Sequence, residues 1–220
     1  MQRAAISILV ITSLLAAAPV AADAATLSTD AGCYQETQDV VLRGAGYAPM
    51  GTISIARDGV AFGTADADAQ GNFQVKFPAE ELPRSAREQA TALTATDAAL
   101  NTASTRYRTT KIFADFDPNE GDPKTLTVRF SVNGFGLLRR DASVYLHYVA
   151  PGGKLRRTVR LGTARGTCGR IPSTRERHLF PFQAERGRWI LQFDTNKGYT
   201  RATSKSRYIW VRKPVEIYTK

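Results

Sequence analysis

Thr52-Ile53-Ser54-Ile55-Ala56-Arg57-Asp58-Gly59-Val60-Ala61-Phe62-Gly63-Thr64 alternates Ile53 and Ile55 with small polar partners, then sets Asp58-Gly59 between that run and the next. Alternation with a period of two is the pattern of a half-buried strand, because successive side chains leave a pleated backbone on opposite faces. A two-residue Asp-Gly junction supplies the positive φ that a tight hairpin turn requires. Working outward, Phe73, Val75 and Phe77 alternate with Gln74 and Lys76, which gives one apolar and one wet face. Val40-Val41-Leu42 runs into Gly44-Ala45-Gly46-Tyr47-Ala48-Pro49-Met50-Gly51, where glycine and proline end a strand. Ala90 to Asp97 and Thr102 to Phe113 supply two more strands, and Leu82 to Gln89 reads as a short helix or loop. Short strands separated by turn signals, with no helix of core-forming length, predict an all-β sandwich.

The second half repeats the pattern. Thr125 to Val132 is a strand followed by Asn133-Gly134-Phe135-Gly136, and Val144 to Ala150 pairs through Pro151-Gly152-Gly153 with Lys154 to Leu161. On strict alternation, Leu155, Val159 and Leu161 share one face of that strand and Lys154, Arg156 and Arg160 the other. Gly162 to Pro172 is a loop holding Cys168, and Trp189, Leu191 and Phe193 alternate along a further strand, with Trp189 as anchor of the second core. Tyr208 to Val211 forms a last strand, which Pro214 is expected to end. A strand followed by glycine and an aromatic thus occurs twice, at Gly46-Tyr47 and at Gly134-Phe135. Between the halves, Ala114 to Lys124 (A-D-F-D-P-N-E-G-D-P-K) concentrates acids and prolines. The expected organisation is a sandwich over 26–112, an acidic linker over 113–124 and a basic sandwich over 125–220.

The first 24 residues open with one basic residue, Arg3, then the apolar run Ala4 to Leu15, then small residues ending in Ala22-Asp23-Ala24. That is the build of a secretory signal peptide, too short for a membrane span. The chain is therefore expected to be secreted or extracellular, with no membrane span and no nucleic-acid partner. Charge is unevenly divided: Thr26 to Thr110 has 7 Lys and Arg against 10 Asp and Glu, whereas Lys111 to Lys220 has 22 against 9. A basic half on an exported chain points to anionic envelope polymers or acidic glycans. Its bland counterpart is a well-solvated surface.

Cys33 and Cys168 are the chain's two cysteines. In an oxidising compartment they can make one intramolecular bond joining the two halves, although free thiols and intermolecular pairing satisfy the sequence as well. Asp30-Ala31-Gly32 lacks the apolar residue that precedes a lipid-anchored cysteine by three positions.

Neither G-x-S-x-G nor H-E-x-x-H occurs. His147 and His178 are the only histidines, neither with metal-ligand spacing, and His147 is expected on the less buried face of its strand. Asp115, Asp117, Asn119, Glu120 and Asp122 offer oxygen ligands, but Gly121 comes one position late for an EF-hand and Leu126 replaces the bidentate Glu. No metal and no cofactor is expected. The candidate anion-binding residues are Arg139, Arg140, Lys154, Arg156, Arg160 and Arg165, whose guanidinium forks suit phosphate or carboxylate. Tyr145, Tyr148 and Phe180 are aromatics placed among them that suit stacking on sugars.

Gly44-Ala45-Gly46-Tyr47-Ala48-Pro49, Asp58-Gly59, Gly63 to Phe73 and Leu93 to Asp97 resemble an exported bacterial immunoglobulin-like domain, over Cys33 to about Ile112. Met50 departs from that family, which has a glycine directly after the proline. Val144 to Tyr148, Gly152-Gly153-Lys154, Val159 to Gly162, Gly166 to Gly169 and Trp189 to Thr195 resemble the module that follows it in secreted proteins of high-GC Gram-positive bacteria, a module of unknown function. The resemblance implies two consecutive immunoglobulin-like β-sandwich domains.

The function expected is that of a non-enzymatic, monomeric envelope-associated protein whose basic second module binds an anionic envelope polymer or glycan. The alternative is a structural or protein-interaction module with an extracellular protein as partner. A third reading, an envelope hydrolase using His147 with an acid, requires a cleft around that histidine.

Overall fold

A computed structural model describes residues 24–201 and 208–218. The expected leader, residues 1–24, lies outside the described residues except for Ala24. In chain order the first half forms β1 (Thr26–Thr29), β2 (Cys33–Gln35), β3 (Asp39–Ala45), β4 (Thr52–Arg57), β5 (Val60–Asp66), β6 (Phe73–Pro78), β7 (Glu88–Asp97) and β8 (Thr102–Thr110). These make two sheets, ordered β1-β3-β6 and β2-β8-β7-β4-β5. The opening strand changes sheets: β1 pairs antiparallel with β3, and β2, after the break at 30–32, pairs parallel with β8. The hairpin read from Asp58-Gly59 joins β4 to β5, with both turn residues at positive φ. Tyr34, Leu42, Ile53, Leu93 and Tyr107 fill the space between the sheets.

The second half forms β9 (Phe113–Asp117), β10 (Thr127–Asn133), β11 (Ser143–Val149), β12 (Leu155–Thr163), β13 (Arg177–His178), β14 (Gly187–Asp194) and β15 (Trp210–Ile217). Its sheets are ordered β13-β10-β9 and β12-β11-β14-β15. The chain is thus all-β, with two consecutive immunoglobulin-like β-sandwiches, and the wiring of the first recurs in the second. Gly46-Tyr47 and Gly134-Phe135 each follow the central strand of a three-stranded sheet. Gly46 and Gly134 both have φ 78°, and Tyr47 and Phe135 are both buried. A left-handed turn open to glycine there drops an aromatic ring into each core. Trp189 anchors the second core, packed on Phe180 and Phe182 with Nε1–H donating to the Glu185 carbonyl at 3.0 Å.

Several expectations from the sequence are corrected. The linker reading of 113–124 fails at its start, because 113–117 is β9, hydrogen-bonded along β10 from Asp117↔Arg129 to Phe113↔Asn133. Its Phe116 is buried in the core, so alternating apolar residues outweigh the acids between them. Pro214 does not end the last strand. It sits opposite Ile190 within β15, tolerated because β15 is an edge strand whose outer side makes no ladder. Tyr148 and Phe180, considered for sugar stacking, are core residues at 0% and 4% exposure.

The modules are joined covalently and by hydrogen bonds. Cys33 and Cys168 form a disulfide with Cα atoms 5.3 Å apart, which leaves no thiol at Cys33 for a lipid. The buried Asn133 Nδ2 donates to the Thr110 hydroxyl and faces the carbonyls of Arg87 and Lys111 at 3.2 and 3.3 Å.

Candidate functional site

The two sandwiches differ most in the loops at one end. In the first, β3 and β4 are joined by residues 46–51 and β7 and β8 by 98–101; in the second, the equivalent connections are 134–142 and 195–209. A connection of about 15 residues is far longer than the roughly two to five residues of most hairpin loops. Thr195 and Ile209 close its base: the Thr195 N–H donates to the Ile209 carbonyl at 3.0 Å, and the Thr195 hydroxyl accepts from the Ile209 N–H at 3.1 Å.

Residues 195–201 of this connection lie across the outer face of the β12-β11-β14-β15 sheet. Asn196 and Tyr199 cover His147 in mid-sheet, and Arg201 reaches the β11–β12 turn, where a Cβ on Gly153 would collide with its guanidinium. His147, Gln192 and Asp194 are consequently buried on what would otherwise be a solvent face. His147 was expected on the less buried face of β11; the loop above it reverses that.

The buried polar residues satisfy one another. Asp194 accepts from Gln192 Nε2 at 2.9 Å and from the Asn196 N–H at 2.7 Å. Gln192 Oε1 accepts from Arg212 Nε at 2.8 Å, and Arg212 Nη2 donates to the Arg201 carbonyl at 2.8 Å. His147 Nε2 faces the Asn196 carbonyl at 3.1 Å and must donate, since a carbonyl only accepts; Nδ1 then accepts from the Thr158 hydroxyl at 2.8 Å. Burial pushes the His147 imidazole below its ordinary pKa, opposed by the Asn196 contact and the Asp194 charge. Burial likewise raises the Asp194 carboxyl, opposed by its hydrogen bonds and by His147.

Beside this cluster, between the 134–142 and 195–209 connections, is a cavity of about 230 Å³. Ser143 and Tyr145 of β11 contribute to its lining, Arg139 and Leu138 come from the first connection, and Lys197 and Tyr208 from the second. The first connection is held in place where the Phe135 and Gly136 N–H groups donate to the carbonyls of Gly169 and Cys168, at 2.9 and 3.0 Å. The disulfide loop thus supports the cavity wall that carries Arg139.

The six candidate cations do not converge. Arg139 lines the cavity, with Arg140 next in the same turn. Arg160 lies beside it: it pairs opposite Tyr145, and its Nη2 donates to Thr163 Oγ1 at 2.7 Å and lies 3.4 Å from Ser143 Oγ. Lys154 and Arg156 stand at the opposite end of β12, and Arg165 in the loop beyond it. At about 3.3 Å per residue, Leu155 and Thr163 at the two ends of β12 are roughly 25 Å apart. The single strip expected from strict alternation is also broken by register shifts at Tyr148/Val149 and Val144/Tyr145. A bulge residue moves later side chains to the other face, so Leu155, opposite Val149, and Val159, opposite Leu146, lie on different faces. Among the described residues none of the six cations makes an ion pair with a carboxylate.

The acids considered for calcium disperse. Asp115 is paired with Lys213, Asp117 stands in β9, and Asp122 accepts from the Lys124 N–H at 2.9 Å.

Sequence reading missed Lys197, Tyr208 and the buried cluster. The available signal was the length of polar chain between the strands ending at Asp194 and beginning near Tyr208.

No protein-family model matches the chain, and no curated protein matches it. Solved structures with partial likeness include the D00-D0 domain of intimin, at 10% identity and TM-score 0.41 over 89% of this chain and 100% of that one. A tetra-tandem repeat from the extending region of a large adhesion protein aligns at 16% identity and TM-score 0.27, covering 87% of this chain and 48% of that one. Dimeric latent PorU from Porphyromonas gingivalis aligns at 13% identity and TM-score 0.33 over 88% of this chain. The chain spans about a fifth of PorU's length, 20%. Likenesses of this size assign no function.

Proposed function

We propose that this is a non-enzymatic, secreted, envelope-associated protein whose second sandwich binds an anionic polymer or glycan. The observation that carries the reading is the set of cations around the long-loop end, Arg139, Arg160 and Lys197, with no carboxylate partner among the described residues, at or beside a cavity. Unpaired charge on a half of the chain, Lys111 to Lys220, with 22 basic against 9 acidic residues attracts polyanions over roughly a Debye length. The disulfide suits an oxidising, extracellular setting. Both ring nitrogens of His147 are engaged beneath the loop, which leaves the hydrolase reading without a base at that position. The test is co-sedimentation of the protein with purified anionic cell-wall polymer across a salt series. Binding that weakens steadily with salt is expected; no binding at low salt overturns the reading.

A protein-interaction role has one observation in its favour. β5 is an edge strand whose Val60 and Phe62 are 71% and 39% exposed, a form that can accept a strand from another protein. Loss of a partner on replacing Val60 with Lys, with polymer binding unchanged, is the result this second reading requires.

A further inference from the structure

We infer that the cavity between the 134–142 and 195–209 connections is a subsite for a single anionic sugar unit of that polymer, an inference that rests on the polyanion reading above. At about 230 Å³ the cavity is smaller than the roughly 300–1,000 Å³ of sites for drug-sized ligands, and so suits one sugar-sized unit. Its lining divides by chemistry. Tyr145, Tyr208 and Leu138 present apolar surface and phenol edges to a ring, while Ser143 and Thr195 add hydroxyls that exchange hydrogen bonds with sugar hydroxyls. Arg139 and Lys197 come from opposite walls, one a planar fork and the other a point charge, as a pair that closes on one oxyanion. Neither has a carboxylate partner among the described residues.

The surroundings favour an anion over a neutral sugar. Asp194, opposite Tyr145 in the sheet, already accepts from Gln192 and from the Asn196 backbone. Arg160, opposite Tyr145 on the other side, adds positive potential while its hydrogen bonds to Thr163 and Ser143 hold it in place. The shared ligand chemistry is a sugar bearing one oxyanion, which a uronic acid supplies as carboxylate and a phosphorylated sugar as phosphate.

The experiment is calorimetric titration of the protein with three oligomers of equal length: an oligogalacturonate, a sugar-phosphate oligomer and a neutral maltooligosaccharide. Each is repeated with the Arg139→Ala/Lys197→Ala pair, with Tyr208→Ala, and with the Lys154→Ala/Arg156→Ala pair at the far end of β12. These positions are exposed, and circular dichroism checks that each variant folds. The expected result is binding of one or both acidic oligomers and not of the neutral one. Affinity then falls about tenfold or more in the Arg139/Lys197 pair and several-fold in Tyr208→Ala, and changes less than about twofold in the Lys154/Arg156 pair. The acidic oligomer that binds more tightly identifies the source of the oxyanion. Equal weakening by the two cation pairs, or equal binding of the neutral oligomer, overturns the subsite while polymer binding in the salt series stands. Failure of every acidic oligomer together with failure of co-sedimentation overturns both.

Discussion

His147 Nε2 donates to the carbonyl of Asn196 at 3.1 Å, tying the middle of β11 to the loop that covers it. The contact spans two sequence-distant elements, and in the neutral ring it fixes the tautomer that carries its proton on Nε2. Thr158 from β12, Gln192 and Asp194 from β14, and Asn196 and Tyr199 from the loop surround the ring, with Arg212 of β15 reached through Gln192.

Acidification is therefore expected to weaken the second module through His147. Its folded-state pKa lies below the ordinary 6.5, so the unfolded chain binds the proton more readily. Stability contributed by the neutral ring is complete above pH 6.5 and declines as the pH drops below it. The raised pKa of Asp194 acts in the opposite sense, relieving a cost as that carboxyl takes up a proton. Urea unfolding at several pH values between 7.5 and 5 should show falling stability in the native protein and a flatter profile in His147→Gln.

Removing the disulfide should cost several kcal/mol. The bond closes a sequence separation of 135 residues, for which loop entropy gives about 5 kcal/mol as an upper figure. In Cys33→Ser/Cys168→Ser, denaturant unfolding is expected at lower midpoint and as two transitions, one per sandwich. A single unshifted transition would contradict this.

Asn133→Ala should destabilise the oxidised protein by about 1–3 kcal/mol, because the buried Thr110 hydroxyl at the module junction loses the donor it accepts from. Chemical denaturation monitored by circular dichroism reads the effect.

Leu100→Asn should stabilise the first sandwich. Leu100 sits at φ 65° in the β7–β8 turn with 80% of its surface exposed. Left-handed backbone costs a branched side chain about 1–2 kcal/mol, and asparagine bears it better. A gain of about 0.5–1 kcal/mol, seen as a small rise in Tm, is the expected outcome. A fall in Tm would mean that the leucine contributes contacts that outweigh the strain.

Much of the fold was written in local patterns. Ile53 and Ile55, Phe73 and Phe77, and Trp189, Leu191 and Phe193 all face cores as their alternation requires. The resemblance to an immunoglobulin-like domain also identified a departure, Met50, which adopts φ 56° where a glycine would be unstrained. Alternation failed at β12, because bulges are set by pairing with β11 and leave no mark in the strand's own residues. It failed for His147 because burial there comes from a loop some 50 residues later. The candidate site was half legible: Arg139 and Arg160 could be picked by charge, but their separation from Lys154 and Arg156 follows from the length of β12. Lys197 and Tyr208 acquire meaning only when they meet the 134–142 connection across the cavity.

The Cys33–Cys168 bond also sets how the chain answers tension. A pull applied at residues 24 and 218 travels through 24–33, across the sulfur bridge and along 168–218, so 34–167 lie outside the line of force. At roughly 3.4 Å per residue the bridged chain extends to about 200 Å, whereas the reduced chain reaches about 650 Å. Nearly all of the first sandwich, the connection bearing Arg139 and the strands bearing Tyr145 and Arg160 are thereby exempt from direct load, while Lys197 and Tyr208 lie on the stretch that carries it. Stretching would open the cavity from one wall only, and reduction would turn a short tether into a long one.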